Sequence, residues 1–211
     1  IKGAYTPNGE VVACELEYRF GAITRSTWKF FRTGEWDPVS YHSVISFFKD
    51  GKRVRAFDAE HFGLPKSTFL EHPRVSPDGK FLAFYTQGAT EQGVYVYDFS
   101  TGKTFHLGNF PDKHPTWSAD GKRIAFMSNR NGSNQVWGMD RDGLRPSQLT
   151  MPGPGATWPP CWSPDGRTIV YSSDREGKFQ IYLSRSDGTA ERRLTSDDKV
   201  DSVPKFSPDG R

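Results

Sequence analysis

Apolar residues in this chain gather into short runs, broken at close intervals by Gly, Pro, Asp and Ser. The runs FLAFYT, VYVYDF, RIAFMS and TIVYSS are too short for helices and rich in β-branched and aromatic residues, so they predict strands buried on both faces. The segments between them, among them SPDG, TEQG, SNRNGS, SDREGK, STG, RDG and SDG, carry the residue types that tight turns demand. Helical periodicity is absent, and the 21 Gly and 15 Pro would interrupt long helices. The pattern predicts an all-β chain.

The turns recur in register. SPDG occupies residues 76–79, 163–166 and 207–210, and SADG residues 118–121, so successive starts lie 42, 45 and 44 residues apart. A degenerate copy, TPNG, stands at residues 6–9. Pro73, Pro115, Pro160 and Pro204 come three positions before the Ser, and Val75, Trp117, Trp162 and Phe206 immediately before it, with Tyr5 before the degenerate copy. Each unit reads as four strands: one ending at that apolar residue, a hairpin turn, an apolar second strand, a Gly-containing turn, a third strand, a second turn and a fourth strand. Four strands repeating every ~44 residues make the blade of a β-propeller. The residues Pro77, Asp78, Gly79, Asp120, Gly121, Pro164, Asp165, Gly166, Pro208, Asp209 and Gly210 are expected to be structural. Pro sets φ at the second corner and Gly accepts a positive φ at the fourth position.

The repeat divides the chain into blades at residues 1–71, 72–113, 114–158 and 159–202, with 203–211 opening a further one. The first blade is enlarged. Between VVACELE and SVISFFKDGKRVRAF lies an insertion over residues 18–42, longer than connections inside compact domains usually are. Its third and fourth strands are expected at 43–48 and 52–57, around Lys49, Asp50 and Gly51. The insertion holds Trp28, Phe30, Phe31, Arg32 and Trp36, an aromatic and Arg mixture typical of binding hot spots. Two readings stand for it: a protruding hairpin that grips a partner, or a longer hairpin packed over the propeller as a satellite core. Because the first unit carries its own innermost strand at 3–6, residues 203–206 duplicate a strand. The expectation is therefore an open arc within a larger propeller, with a closed four-bladed ring as the alternative.

Charge and candidate chemistry change this picture little. The net charge of +3 is interleaved with acidic residues and forms no basic run, which argues against nucleic acid as the partner. No window is apolar for long enough to suggest a membrane span. Two cysteines, Cys14 and Cys161, make neither a disulfide framework nor a metal-type spacing. At the position four before the Ser the chain carries Lys2, His72, His114, Pro159 and Val203. This position falls in the loop around a propeller's central opening, so His72 and His114 face each other from adjacent blades. They are candidates for partner binding, or for a metal if Glu71, Asp112 or Asp201 completes the set, since such ions want three or four protein ligands. The run Asp140-Arg141-Asp142-Gly143 reads as a turn, because Arg141 and Leu144 break the alternation of a calcium loop. Ser128-x-Arg130-x-Gly132 and Ser173-x-Arg175-x-Gly177 predict an Arg bonded across a blade turn, and Asn131-Gly132-Ser133 is a glycosylation sequon. No G-x-S-x-G, phosphate loop or C-x-x-C-H motif occurs, and no catalytic residue is assigned.

The consensus P-x-[WF]-S-[PA]-D-G-[KR]-x-[IL]-[AV]-[FY]-x-[ST] resembles the TolB-like, WD40-like propeller repeat, chiefly over residues 70–211, although the Trp-Asp dipeptide of tryptophan–aspartate propellers is missing. The resemblance implies a TolB-like β-propeller of four-stranded antiparallel blades, about four of which are present from a six-bladed ring. It also implies a non-enzymatic scaffold that binds protein partners in a larger complex, periplasmic or secreted, without a cofactor. Two alternatives follow from likeness of fold. One is a metal-dependent propeller similar to oligogalacturonate lyases, with His72 and His114 at its mouth. The other is the propeller of a prolyl oligopeptidase-type peptidase whose catalytic domain lies outside this chain.

Overall fold

The computed structural model describes residues 4–19, 40–87, 92–108, 110–196, 200, 203–207 and 209–210. Among them the strands form four antiparallel four-stranded meanders. The first sheet comprises β1 (Ala4–Tyr5), β2 (Val11–Arg19), β3 (Ser40–Lys49) and β4 (Lys52–Phe57), and the second β5 (Phe69–Val75), β6 (Phe81–Gln87), β7 (Gly93–Asp98) and β8 (Lys103–His106). The third comprises β9 (Lys113–Trp117), β10 (Arg123–Ser128), β11 (Gln135–Asp140) and β12 (Ser147–Gln148), and the fourth β13 (Cys161–Trp162), β14 (Thr168–Ser173), β15 (Gln180–Arg185) and β16 (Arg192–Arg193). The first strands of consecutive sheets touch one another and line the axis.

Strand alternation explains why the apolar runs are unbroken. In β6, Leu82 and Phe84 join Val12, Ile45 and Phe47 of the first sheet, while Ala83 and Tyr85 join Ile124, Phe126 and Met139 of the third. In β10, Ala125 turns the other way, into a third cluster with Trp162, Ile169 and Tyr171 of the fourth sheet. Successive side chains of one strand therefore serve two interfaces. The aromatic before the turn packs between sheets as well: Trp117 and Trp162 are each 7% exposed, and Trp117 Nε1 donates to the carbonyl of Arg74 in the preceding sheet at 2.8 Å. These clusters link the sheets in sequence, and among the described residues none joins the fourth sheet to the first, as an open arc requires.

The repeated turn closes on a buried hydroxyl. Ser118 Oγ donates to Asp120 Oδ1 (2.7 Å) and accepts the Arg123 N–H (3.0 Å), while the same carboxylate oxygen accepts the Lys122 N–H (3.0 Å). Ser76 with Asp78 and Ser163 with Asp165 repeat the arrangement, and Ser207 bonds Asp209 likewise. The hydroxyl bond of Ser118 is the first of the interactions that hold the Asp120 carboxyl below its usual range. Gly79, Gly121, Gly166 and Gly210 take φ between +67° and +81°, which explains the glycine. A methyl group at Gly121 would meet Pro77 Cδ at 3.6 Å, one at Gly166 the Ala119 Cβ at 3.4 Å, and one at Gly210 Pro164 Cδ at 3.9 Å. Consecutive turns are thus stacked, each against its predecessor.

The two S-x-R-x-G motifs do more than span a turn. Arg130 Nε donates to Ser128 Oγ (2.9 Å), its Nη2 pairs with Asp112 (2.6 Å), and its guanidinium lies 4.5 Å from the ring centroids of Trp137 and Phe110. Arg175 repeats this with Ser173, Glu191 and the Tyr182 ring. The carboxylates are buried, Asp112 at 1% and Glu191 at 6% exposure.

Some boundaries differ from the sequence reading. Strand β5 begins at Phe69, so the second sheet takes residues the repeat places in the first unit. In the first blade β2 and β3 stay paired into the insertion, through Tyr18 with Tyr41 and Arg19 with Ser40, because nothing breaks the hairpin at residues 18 or 42. Residues 203–206 carry no strand pairing.

Two stability outcomes follow. Ser118→Ala removes the acceptor of a buried N–H and should cost about 1–2 kcal/mol in urea unfolding. Arg130→Ala strands the Asp112 carboxylate and should cost about 3 kcal/mol, whereas Arg130→Ala combined with Asp112→Ala should recover part of that loss.

Candidate functional site

The connections into the first strands bring equivalent positions to one opening: Glu71 and His72, then Lys113 and His114, then Trp158 and Pro159. In β5 the pairing to β6 shifts between Glu71 and Arg74, and in β9 the pairing to β10 shifts between Lys113 and Thr116. Each shift is a bulge with one extra residue, and bulges re-aim side chains. His72 (φ +49°) and His114 (φ +54°) stand in the left-handed region there, each before a Pro. Val203 takes the same conformation (φ +55°) at its equivalent position. The conformation thus recurs in three units, whereas the fourth blade places Pro159 there, whose ring excludes a positive φ.

The structure brings the two predicted histidines together. Their ring centroids lie 4.2 Å apart with the planes at 89°, and both contact Tyr85, at 5.4 Å from His72 and 5.1 Å from His114. Tyr85 Oη donates to Glu71 Oε2 (2.7 Å) and accepts from Gln87 Nε2 (3.2 Å), and that carboxylate lies 3.7 Å from His72 Nδ1. Arg74 donates to the carbonyl of Pro73 at 2.9 Å, and Cys161 and Cys14 lie within its electrostatic reach. Trp158, 45% exposed, leans edge-on against Phe179.

Burial and the surrounding cations keep the imidazoles neutral near pH 7. His114 is pushed down to about 4, by burial first and then by His72, Lys113 and Arg74. Its Nδ1 is shielded and has no hydrogen-bond partner among the described residues. His72 is lowered by burial and by Arg74, against the opposing pull of Glu71. Burial, then Glu71, pushes the Cys14 thiol up to about 12, so it is a poor nucleophile. Among the described residues no three His, Cys, Asp or Glu side chains converge as a metal set. Residues 140–143 form a turn, with Gly143 N–H bonded to Asp140 O and Asp140 N–H to Leu144 O. Asn131 is exposed and donates to Gln148 Oε1.

Trp28, Phe30, Phe31, Arg32 and Trp36 lie outside the described residues, as does Pro208. Sequence reasoning missed Arg74, Tyr85, Gln87, Lys113 and Trp158 as parts of the mouth. Comparing repeats at two more positions would have exposed several of them: five before the Ser stand Glu71, Lys113 and Trp158, and two before it Arg74, Thr116, Cys161 and Lys205.

Four-stranded meanders around an axis, joined by stacked Ser-x-Asp-Gly turns, define a β-propeller domain. The family described as TolB beta propeller domain matches residues 49–211, and the chain belongs to that family. The Tol-Pal system protein TolB of Francisella tularensis is 30% identical over 66 residues, 30% of this chain and 15% of that protein. The solved TolB from Acinetobacter baumannii superposes with a TM-score of 0.64 at 23% identity, over 89% of this chain and 50% of its own. The putative TolB from Agrobacterium tumefaciens does so at 0.72 and 21% identity, over 99% and 66%. The chain thus spans half to two thirds of these solved relatives. An oligogalacturonate lyase and a peptidase share the fold too, and at 20% and 14% identity the likeness shows the fold alone.

The mouth makes a pH outcome explicit. With the folded His114 pKa at about 4 and an unfolded value near 6.5, the unfolded chain binds more protons between the two. The stability associated with neutral His114 is complete above the upper value and is lost as pH falls toward the lower. His114→Gln should flatten this acid limb, read as urea midpoints compared at neutral and mildly acidic pH.

Proposed function

We propose that this propeller is a non-enzymatic protein-binding module that takes its partners at the mouth around His72 and His114 and on the aromatic insertion of the first blade. The observation that carries the reading is the mouth itself. A left-handed residue recurs at His72, His114 and Val203, yet the side chains at this position and the one before it differ from blade to blade: Glu71 and His72, Lys113 and His114, Trp158 and Pro159. Packing does not require them, and several remain partly exposed. Exposed polar and aromatic residues on a rigid scaffold are the usual substrate of recognition. The insertion adds Trp28, Phe30, Phe31, Arg32 and Trp36, residue types enriched where binding energy concentrates.

A relative named for the Tol-Pal system supports placing the module in an envelope complex, periplasmic or secreted. The lyase and peptidase readings rest on likeness of fold, and no arrangement among the described residues favours either.

Affinity purification from an envelope extract of the source organism tests the proposal. Replacing Trp28, Phe31 and Trp36 with Ser, and separately His72 and His114 with Ala, should each reduce recovered partners by about tenfold, with circular dichroism unchanged. Undiminished recovery from both folded variants would sink the reading.

A further inference from the structure

We propose that the mouth is a carboxylate-binding site whose occupant is an extended acidic segment of a partner protein, an inference that rests on the protein-binding reading above. Three arginines share one arrangement. Arg55 pairs with Glu10, Arg130 with Asp112 and Arg175 with Glu191, each guanidinium also lying over an aromatic ring. Arg74 is treated differently. Its guanidinium bonds the carbonyl of its own neighbour Pro73, and among the described residues it makes no ion pair with a carboxylate.

Other basic groups converge on the same place. The His72 and His114 rings lie 4.2 Å apart, and Arg74 and Lys113 flank them at the ends of the two bulges, so four nitrogen bases from two adjacent blades share one opening. Among the described residues one carboxylate stands with them, and Glu71 already accepts from Tyr85 Oη. Gathering like charges costs stability, and sites that break a fold's own rules tend to be functional. A bound carboxylate would relieve the repulsion, accept from the Arg74 nitrogens that have no partner among the described residues, and stand within reach of Lys113.

The spread of the groups argues for a chain and against a compact ion. Arg74 and His72 belong to the second blade, Lys113 and His114 to the third, and the exposed Trp158 to the fourth. An occupant that meets all three must be extended, with acidic side chains for the basic pair and an apolar stretch for the indole. Arg and Trp are residue types that such anchor sites favour.

Fluorescence anisotropy with a labelled peptide of alternating Glu and Gly, set against its Gln counterpart, tests this on the whole chain at low salt. The acidic peptide should bind at least about tenfold tighter, and the preference should fade as salt is added. Arg74→Gln and Lys113→Gln should each weaken it by about tenfold, whereas Arg74→Lys should keep most of the binding and Lys103→Gln, on the outer strand β8, should change nothing. Thermal unfolding of each variant separates lost binding from lost folding, and Lys113→Gln stands as the test if Arg74→Gln does not fold. Equal affinity for the two peptides, retained by these variants, overturns the carboxylate site and leaves the protein-binding reading intact. Binding of neither peptide overturns it as well. Displacement by free glutarate or inorganic phosphate at concentrations matching the peptide would assign a small-anion site and overturn the acidic segment.

Discussion

A serine hydroxyl held between an aspartate carboxylate and a backbone N–H is the contact on which each blade depends. In the third blade it joins Ser118, Asp120 and Arg123, with the hydroxyl buried and the carboxylate at the surface. Because it fixes where the first strand ends and the second begins, it sets the register of β9 on β10, with Trp117 opposite Ile124. That register sends Ile124 and Phe126 toward the second sheet and Ala125 toward the fourth. A slip of one residue would exchange the two interfaces. The same first strand also reaches the opening, where its bulge sets His114 against His72 and Tyr85. One end of the strand is thus committed to architecture, and the other is free for recognition.

Electrostatics divides the buried cations into two kinds. Arg130 and Arg175 are enclosed by a hydroxyl, a carboxylate and aromatic rings, so their desolvation is offset in place. At the mouth the balance differs: among the described residues Arg74, Lys113 and two neutral imidazoles stand around one carboxylate, Glu71, which accepts from Tyr85. The depressed His114 and the raised Cys14 share burial as their first cause, joined for His114 by the neighbouring bases and for Cys14 by Glu71.

The fold was largely legible because its determinants are local. Pro, Asp and Gly at fixed offsets specify the turn, and unbroken apolar runs specify strands buried on both faces. The pairing of His72 with His114 was legible for the same reason, since equivalent positions in adjacent repeats must be neighbours. What escaped was whatever depends on partners at irregular distances in the chain. Arg130 finds Asp112 before it and Arg175 finds Glu191 after it, so the shared S-x-R-x-G motif does not announce its carboxylate. Tyr85 reads as an ordinary core residue of β6, and only the folded bulge shows its hydroxyl turned toward Glu71. The boundary at residue 72 failed for a related reason: strand pairing runs past the Pro-marked position back to Phe69.

The stacking of each turn on its predecessor has a consequence for how such a chain can change. Gly121 rests on Pro77, Gly166 on Ala119 and Gly210 on Pro164, so the surface that receives a blade is the same surface the next blade offers. Tandem duplication of one repeat would therefore lengthen the array without inventing a new interface, and recombination between repeats would keep register at the junctions. The same interchangeability is a hazard during synthesis, when a blade of one molecule can seat on the exposed turn of another. Variation among blades at the mouth, where side chains no longer match, is then the part of the design that tells one position in the array from the next.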